Sequence, residues 1–324
     1  MRTYADHTHW KRYQPFFPER ARITDANAPV EEAWAWREAT MHLDRYEAAD
    51  AQVKVILLHG AGANGRIMGA FGTLLRRHGY AAVAPDLPGY GLTDCPASLV
   101  HSEAWVDAVS DLVDAEIARD GLPVVLFGAS LGGMLTYQVA CKNPAVSGII
   151  ATTLADPSDP ATGPQLAVFP ALARVGGFFL NALSWVLDPI PVPIRWVSKM
   201  NHISNQPEMV RALIADPTSA GSVVPLRFLR TLMSTRPAMQ PEEFDVCPVL
   251  LVHPERDFMT PIAMSEAFYE RLSGDKTYVI LEGAGHMPLE QPGIDQLEEA
   301  VLSFLGRFTA NGALARRITA TRRR

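Results

Sequence analysis

A serine flanked by glycines lies where a predicted buried strand gives way to a helix. The segment Val124–Gly133 reads Val-Val-Leu-Phe-Gly-Ala-Ser-Leu-Gly-Gly, and Gly128 to Gly132 form a G-x-S-x-G sequence. This pattern is typical of a sharp strand-to-helix turn, in which the serine backbone is strained and the glycines allow close approach. The turn presents the Ser130 hydroxyl, and free N–H groups at the start of the helix can stabilise an oxyanion there. Ser130 is therefore a candidate nucleophile.

A candidate acid and a candidate base follow two later strands. Serine is a weak nucleophile at neutral pH and needs a base, and histidine, with an ordinary pKa near ~6.5, suits that role. An acidic side chain then orients the imidazole. Asp257 follows the predicted strand Pro248–Val252, and His286 follows the predicted strand Thr277–Leu281. Because parallel strands end at one edge of a sheet, we predict that Ser130, Asp257 and His286 form a catalytic triad.

Each partner of the serine has a rival close by in the sequence. Glu255 could supply the acid, but we favour Asp257 because it lies at the far end of its loop, just before a helix. His253 and His59 are alternative bases. His253 still belongs to a strand end, and His59 precedes a glycine-rich loop, where it is better explained as a backbone anchor.

That glycine-rich loop allows two interpretations. Gly60, Gly62 and Gly65 form a G-x-G-x-x-G sequence, and Asp86 follows about twenty residues later at the end of the next strand, which is the outline of a dinucleotide-binding site. Alternatively, the loop donates a backbone N–H to an oxyanion. We favour the second interpretation because His59 and Gly60 open the loop and the candidate nucleophile follows one structural unit later. A dinucleotide-binding oxidoreductase stays a remote alternative.

Strands and helices alternate through most of the chain. The alternation predicts an α/β fold with a mostly parallel central sheet, flanked by helices and connected by right-handed crossovers. The predicted strands are Trp34–Arg37, Met41–Glu47, Val53–Leu58, Tyr80–Ala84, Val124–Phe127, Ser147–Thr152, Pro248–Val252 and Thr277–Leu281. The predicted helices are Arg66–His78, Ser102–Asp120 with Ser102 as its N-cap, one beginning at Leu131, Ile262–Leu272 and Ile294–Phe308.

The alternation stops at Leu154, which suggests an insertion. We divide the chain into an N-terminal extension (1–30) on the surface, a core (31–153 and 246–310), a helical cap (154–245) and a basic tail (311–324). The most apolar window, Leu166–Leu187, contains Pro170 and Arg174, so a helical pair explains it better than a membrane span. We expect most aromatic residues of the cap to be core and a few to face a pocket.

Composition excludes several classes of protein. The chain has 324 residues and a net charge of −6, which does not favour nucleic-acid binding. Its three cysteines, Cys95, Cys141 and Cys247, predict neither a disulfide framework nor a zinc site. The first residues lack a signal pattern, so we expect a cytoplasmic protein with no membrane partner. We also expect no cofactor and no metal. The oligomeric state stays open, with a homodimer as one alternative.

Taken together, the motifs resemble the α/β-hydrolase fold superfamily. The matching pieces are His59-Gly60-Ala61-Gly62, Asp86-Leu87-Pro88-Gly89-Tyr90-Gly91, Gly128-Ala129-Ser130-Leu131-Gly132-Gly133, Asp257 before Thr260-Pro261, and Gly285-His286-Met287-Pro288. They lie within residues 53–306. The resemblance implies that Ser130 is the nucleophile, His286 the base and Asp257 the acid, and that the backbone N–H groups of Ala61 and Leu131 form the oxyanion hole. Epoxide hydrolases and haloalkane dehalogenases of this fold use an aspartate nucleophile, unlike Ser130.

We therefore expect a serine hydrolase that forms an acyl-enzyme and cleaves a carboxylic ester, lactone or thioester of a small to medium hydrophobic substrate. A carbon–carbon bond hydrolase, a cofactor-free haloperoxidase (perhydrolase) or a hydroxynitrile lyase could use the same triad. A binding protein that keeps the triad but turns over very slowly is an alternative of another class.

Overall fold

The computed structural model describes residues 2–166 and 183–310, and the statements below concern those residues. Its ten strands are β1 (Val30–Trp36), β2 (Ala39–Tyr46), β3 (Lys54–Leu58), β4 (Ala81–Pro85), β5 (Val124–Gly128), β6 (Val146–Ala151), β7 (Pro191–Pro193), β8 (Val223–Pro225), β9 (Val249–Pro254) and β10 (Lys276–Leu281). Eight of them form one sheet in the order β1-β2-β4-β3-β5-β6-β9-β10, and β7 pairs with β8 separately.

The sheet is parallel from β4 to β10, and only β1 and β2 run against their neighbours. The central strands β3 and β5 pair from Lys54 opposite Val124 to Leu58 opposite Gly128, and both strands are fully buried. Strands buried on both faces are expected where helices cover a parallel sheet. The predicted mostly parallel α/β class is confirmed.

Ten helices accompany the strands in the described residues. They are α1 (Gly65–Arg77), α2 (Ser102–Asp120), α3 (Leu131–Lys142), α4 (Gly163–Leu166), α5 (Ser184–Leu187), α6 (Ile194–Val197), α7 (Pro207–Ile214), α8 (Leu226–Ser234), α9 (Ile262–Tyr269) and α10 (Gly293–Gly306). In the core, α1 packs on the sheet through Phe71, whose ring centroid lies 5.0 Å from that of Phe127 in β5. The predicted N-cap of α2 is wrong by one residue, because the side chain of His101 accepts the N–H of Ala104.

The N-terminal segment lies at the surface, where many of its residues are exposed, but it also contributes large side chains to the core, which was not predicted. Residues 8–21 form three short 3-10 turns, and Tyr4, Trp10, Tyr13 and Phe17 belong to the main hydrophobic core. Burying large aromatic side chains is a strong driving force for folding. The segment carries no helix or strand period, so its burial was not evident from periodicity.

A buried polar network fixes this segment to the sheet. The Tyr4 hydroxyl donates to Asp86 at 2.9 Å, and Arg66 binds both carboxylate oxygens of Asp44. His42 contacts Glu31 at 2.7 Å and Asp86 at 3.3 Å. Glu31, His42 and Asp44 are close enough together to hold a metal ion. The Arg66 guanidinium already binds the Asp44 carboxylate. Positively charged side chains of the chain therefore compensate the negative charge of these carboxylates.

The inserted segment is not purely helical in its described part. The short strands β7 and β8 form an antiparallel ribbon in which Val192 pairs with Val224, and prolines stand at both ends of β7 and at the carboxyl end of β8. Phe228 is buried, as expected for a core residue, whereas Trp185 is 82% exposed. The cap boundaries 154–245 stay a prediction. Most of the apolar window Leu166–Leu187, and the whole tail 311–324, lie outside the described residues.

Two expectations from composition can be compared with the structure. All three cysteines, at positions 95, 141 and 247, are free thiols, as expected. Among the described residues, no helix combines the length and hydropathy needed to span a bilayer.

Candidate active site

Ser130 stands on a strained turn between β5 and α3. Its φ of 57° and ψ of −128° are unusual for a residue with a side chain. A Cβ atom on Gly128 would overlap the carbonyl of Gly132, and one on Gly132 would overlap the carbonyl of Leu58. Only glycine therefore allows the chain to pass this closely on either side of the serine. The strand-turn-helix geometry predicted for this motif is confirmed.

Two threonines that the sequence analysis did not select hold the strained turn in place. Thr152 Oγ1 accepts the backbone N–H of Ser130 at 2.9 Å, and Thr153 Oγ1 donates to the Ser130 carbonyl at 2.9 Å. Both threonines directly follow β6, the strand beside β5. Their place directly after a strand could have indicated this role in the sequence, because polar residues at the carboxyl end of a neighbouring strand reach the same edge of the sheet.

His286 and Asp257 form a direct, buried pair. His286 Nδ1 lies 2.7 Å from Asp257 Oδ2, and the two side chains are 4% and 0% exposed. Asp257 Oδ1 also accepts the backbone N–H groups of Met259 at 2.9 Å and Thr260 at 2.7 Å. Burial alone would raise the pKa of Asp257. The charge and hydrogen bond of His286 and the Thr260 N–H outweigh burial and lower that pKa, so the carboxylate stays ionised.

The serine itself makes no hydrogen bond to His286 within the described residues. The structure thus joins the predicted acid and base directly, and it places the nucleophile on the same edge of the sheet, one strand away from β9. Hydrogen bonds to a catalytic serine are often long in the absence of substrate. The roles of Ser130, His286 and Asp257 are taken up below as a proposal.

The rival residues have other partners. Glu255 accepts the backbone N–H of Gly283 at 2.8 Å and is exposed. His253 is buried at the end of β9, where its Nδ1 contacts the Pro254 carbonyl at 3.0 Å. Burial, the largest influence, lowers the pKa of His253. Within the described residues, Glu255 makes no hydrogen bond to His286, whereas Asp257 does.

His59 anchors backbone, as predicted. Its Nε2 accepts the N–H of Leu87 at 3.0 Å, and its Nδ1–H donates to the carbonyl of Gly60 at 2.8 Å. The ring is completely buried, and burial lowers its pKa, so the imidazole is neutral. A neutral ring with both nitrogens bonded to backbone fixes the start of the glycine-rich loop.

That loop lies against Ser130. A Cβ atom on Gly60 would lie 2.8 Å from Ser130 Cβ and 3.1 Å from the nitrogen of Leu131. Within the described residues, the backbone N–H groups of Ala61 and Leu131 donate to no backbone or side-chain acceptor. Two free N–H groups beside a nucleophile are what an oxyanion hole requires.

The loop does not have the properties of a dinucleotide site. The Asp86 carboxylate is fully buried and accepts the N–H groups of Gly65 at 2.6 Å and Leu92 at 2.8 Å, so it is not available to a ribose hydroxyl. The side chain of Asn64 caps α1 by accepting the N–H of Ile67 at 3.0 Å. A pyrophosphate would need that helix terminus. The geometry contradicts the dinucleotide interpretation.

Residues 200–222 of the inserted segment contact the glycine-rich loop. Ser219 Oγ donates to the Gly62 carbonyl at 2.9 Å, and Asn64 Nδ2 donates to the Thr218 carbonyl at 3.1 Å. Gly62 has a φ of 75°, and a Cβ atom on it would lie 2.6 Å from the sulfur of Met200. The inserted segment thus helps to position the loop that carries Ala61.

A mostly parallel sheet with a strained serine after β5 and an Asp–His pair after β9 and β10 defines an α/β hydrolase. The family model described as serine aminopeptidase, S33, matches residues 49–292, well over half of the chain. The chain belongs to that family.

Curated relatives cover most of the chain. It is 28% identical over 252 residues to a pimeloyl-[acyl-carrier protein] methyl ester esterase of Neisseria meningitidis, which covers 76% of this chain and 74% of that protein. It is also 28% identical over 287 residues to the phospholipase YtpA of Bacillus subtilis, which covers 85% of this chain and 99% of that protein.

Solved structures share the fold. A soluble variant of monoglyceride lipase from Saccharomyces cerevisiae has a TM-score of 0.72 at 18% identity and covers 91% of this chain and 99% of that chain. The monoacylglycerol lipase of Paleococcus ferrophilus has a TM-score of 0.64 at 21% identity and covers 83% of this chain and 99% of that chain. At these identities the likeness shows the α/β-hydrolase fold alone.

Proposed function

We propose that this chain, a serine hydrolase that cleaves carboxylic esters, forms an acyl-enzyme on Ser130 with His286 as base and Asp257 as acid. The observation that carries the proposal is the buried contact of 2.7 Å between His286 Nδ1 and Asp257 Oδ2, at the same edge of the sheet as a serine on a strained turn. The relatives named as an esterase and a phospholipase support ester cleavage.

In the first half of the reaction, Ser130 Oγ attacks the carbonyl carbon of the ester while His286 Nε2 accepts the hydroxyl proton. The carbonyl oxygen becomes an oxyanion, which the N–H groups of Ala61 and Leu131 stabilise. When the tetrahedral intermediate collapses, the bond to the alcohol oxygen breaks and His286 donates its proton to that oxygen. The alcohol leaves, and the acyl group stays on Ser130.

In the second half, His286 accepts a proton from water, and the hydroxide oxygen attacks the acyl carbon. The same two N–H groups stabilise the second oxyanion, and the intermediate collapses to release the carboxylic acid and to return the proton to Ser130. Asp257 holds the imidazole in one orientation throughout and stabilises its protonated form. No group outside the chain and water is needed for this sequence of steps.

The substrate side of the proposal rests on the inserted segment. We infer that residues 154–245 act as a cap over the core formed by 31–153 and 246–310, because Met200 and Ser219 contact the glycine-rich loop beside the serine. The insertion is rich in apolar and aromatic residues, which favours a small to medium hydrophobic ester.

The test is hydrolysis of p-nitrophenyl butyrate by the wild-type chain and by Ser130→Ala, with labelling by a fluorophosphonate probe and peptide mass spectrometry. We expect the label on Ser130 and loss of at least about 1,000-fold in kcat for the variant. Equal rates, or a label on another serine, contradict the proposal. An amino-acid p-nitroanilide tested in parallel asks whether the chain also cleaves amides, as the family description suggests.

A further inference from the structure

A cleft of about 620 Å³ lies between the inserted segment and the loop that carries Asp257. Its walls come from the stretch before and into α7 and from the two residues that flank Asp257 in the chain. The lining residues are Asn201, His202, Ser204, Asn205, Pro207, Val210, Arg256 and Phe258. None of the proposed triad residues lines it.

The polar side of the cleft offers hydrogen-bond donors. Arg256 is exposed, and within the described residues its guanidinium has no hydrogen bond or ion pair. The side chains of Asn201, His202 and Ser204 add further donors. A free guanidinium surrounded by further hydrogen-bond donors favours a ligand with a carboxylate or phosphate group, which it can bind with two parallel hydrogen bonds.

Among the lining residues that the structure describes, no acidic side chain competes for that guanidinium. Among the acidic residues next to it in sequence, Glu255 accepts the Gly283 N–H, and Glu208 pairs with Arg211 at 2.7 Å. Asp257 is held by His286. The first turn of α7 also adds positive partial charge, because Pro207 lines the cleft and Gln206 caps the helix with no side-chain hydrogen bond.

The position of the cleft indicates which part of a substrate reaches it. Asn205 Nδ2 donates to the Arg256 carbonyl at 3.3 Å, and a Cβ atom on Gly285 would lie 2.6 Å from the same Nδ2. Gly285 immediately precedes His286, so the cleft lies on the imidazole side of the site. The imidazole protonates the departing alcohol, and the alcohol part of the ester therefore lies on that side.

From this geometry we propose that the cleft binds an anionic group, a carboxylate or a phosphate, carried by the alcohol part of the ester, with Arg256 as the residue that selects for it. The proposal rests on the proposed ester hydrolysis at Ser130. Phe258, which is 62% exposed, and Val210 supply apolar contacts for the carbon atoms between the ester and the anion.

The test uses esters that differ in one group. The neutral reference is 4-carbamoylphenyl butyrate, and its two anionic counterparts are 4-carboxyphenyl butyrate and 4-(phosphonooxy)phenyl butyrate. Phenyl hydrogen succinate carries its charge on the acyl side instead. Release of each phenol is followed by chromatography, and kcat/KM is divided by the value for the neutral ester, after correction for spontaneous hydrolysis.

For the wild-type chain we expect a higher kcat/KM for one or both esters with an anionic alcohol than for the neutral ester. The anionic ester with the higher kcat/KM shows whether the cleft selects a carboxylate or a phosphate. Arg256→Ala lowers that preference about tenfold or more, and Arg256→Lys keeps part of it. Arg195→Ala removes an exposed arginine of the same segment that does not line the cleft, and it leaves the preference unchanged. Added salt weakens the preference, because the cleft is open to solvent.

A binding measurement separates this role from a merely structural one. Inhibition of 4-carbamoylphenyl butyrate hydrolysis by 4-hydroxybenzoate is compared with inhibition by 4-hydroxybenzamide. We expect the anion to inhibit more strongly, and Arg256→Ala to abolish that difference. Because each comparison is a ratio within one variant, a general effect of the substitution on the neighbouring Asp257 cancels.

The two proposals fail differently. If no ester is cleaved in a manner that depends on Ser130, the proposed function is wrong. If the neutral ester is cleaved but esters of anionic and neutral alcohols have equal kcat/KM, the cleft proposal alone is overturned. The same holds if the preference for the anionic esters survives Arg256→Ala. A preference only for phenyl hydrogen succinate also overturns it, because the anion then lies on the acyl side.

Discussion

The imidazole of His286 and the carboxylate of Asp257 are joined at 2.7 Å, and the second oxygen of that carboxylate accepts two backbone N–H groups. Both carboxylate oxygens therefore have fixed partners, and the ring can rotate little. An ionised Asp257 that accepts from Nδ1–H leaves Nε2 as the basic nitrogen, which is the form that general-base catalysis at Ser130 requires.

Asp257→Asn is expected to lower kcat for p-nitrophenyl butyrate about 10³- to 10⁴-fold, because an amide no longer holds the imidazole tautomer or stabilises its protonated form. KM should change much less. Glu255→Gln is the matched control, since Glu255 binds only the Gly283 backbone among the described residues and should leave kcat within about twofold. Similar losses in both variants would argue against Asp257 as the acid.

Gly60→Ala tests the role of the glycine-rich loop in the proposed oxyanion hole. The added methyl group would lie 2.8 Å from Ser130 Cβ, so the loop must move away from the nucleophile and take the Ala61 N–H with it. We expect a loss of at least about 100-fold in kcat, the scale of one missing oxyanion donor. Gly306→Ala, where a methyl group would meet no atom within 4 Å, should retain wild-type kinetics. Near-normal activity of Gly60→Ala would remove this loop from the mechanism.

Tyr4→Phe tests the attachment of the N-terminal segment. The substitution removes the hydroxyl that donates to Asp86 and leaves a buried carboxylate short of one donor. The free energy of unfolding, measured by urea denaturation, should fall by about 1 to 3 kcal/mol. Tyr80→Phe, at a partly exposed ring without a hydroxyl hydrogen bond in the described residues, should change it by less than about 0.5 kcal/mol. Equal changes in the free energy of unfolding would mean that the hydrogen bond from Tyr4 to Asp86 does not stabilise the protein.

The buried His42 predicts a pH dependence of stability. Burial lowers its pKa, but hydrogen bonds and charges from Asp86, Glu31 and Asp44 outweigh burial and raise the pKa from 6.5 to about 10. A raised folded-state pKa stabilises the protein fully below pH 6.5, and this contribution is lost as the pH rises toward 10.

Unfolding by urea at a series of pH values between 6 and 10 checks this prediction. The free energy of unfolding should decline with pH in the wild type, and His42→Gln should be less stable at pH 6 and show a flatter profile. His7→Gln, which removes a partly exposed histidine, should keep the wild-type slope. A wild-type profile that is flat or rises over this range would contradict the assignment of a protonated His42.

Much of the site could be predicted because its residues follow from local rules. Ser130 lies between glycines at a strand-to-helix turn, and Asp257 and His286 follow strands whose carboxyl ends must meet at one edge of a parallel sheet. The role of His59 as a backbone anchor also followed from its place before a glycine loop. These inferences need only the order of strands along the chain.

The residues that were missed depend on contacts between distant parts of the chain. Thr152 and Thr153 are ordinary strand residues by propensity, and only the adjacency of β5 and β6 makes them partners of Ser130. Asn205 reaches Gly285 through the packing of the inserted segment, which no local pattern encodes. The aromatic residues before position 30 follow no period, so their burial could not be predicted from periodicity.

The hydrogen bond from Ser219 to the Gly62 carbonyl has a practical consequence for engineering new specificities. A chimera that grafts a foreign segment in place of residues 154–245 would exchange the proposed cap and remove a support of the loop that carries the Ala61 N–H. Turnover and selectivity would then change together. Chimeras that retain the native residues around Ser219 should preserve turnover. The junctions between native and foreign sequence should therefore lie outside residues 200–222.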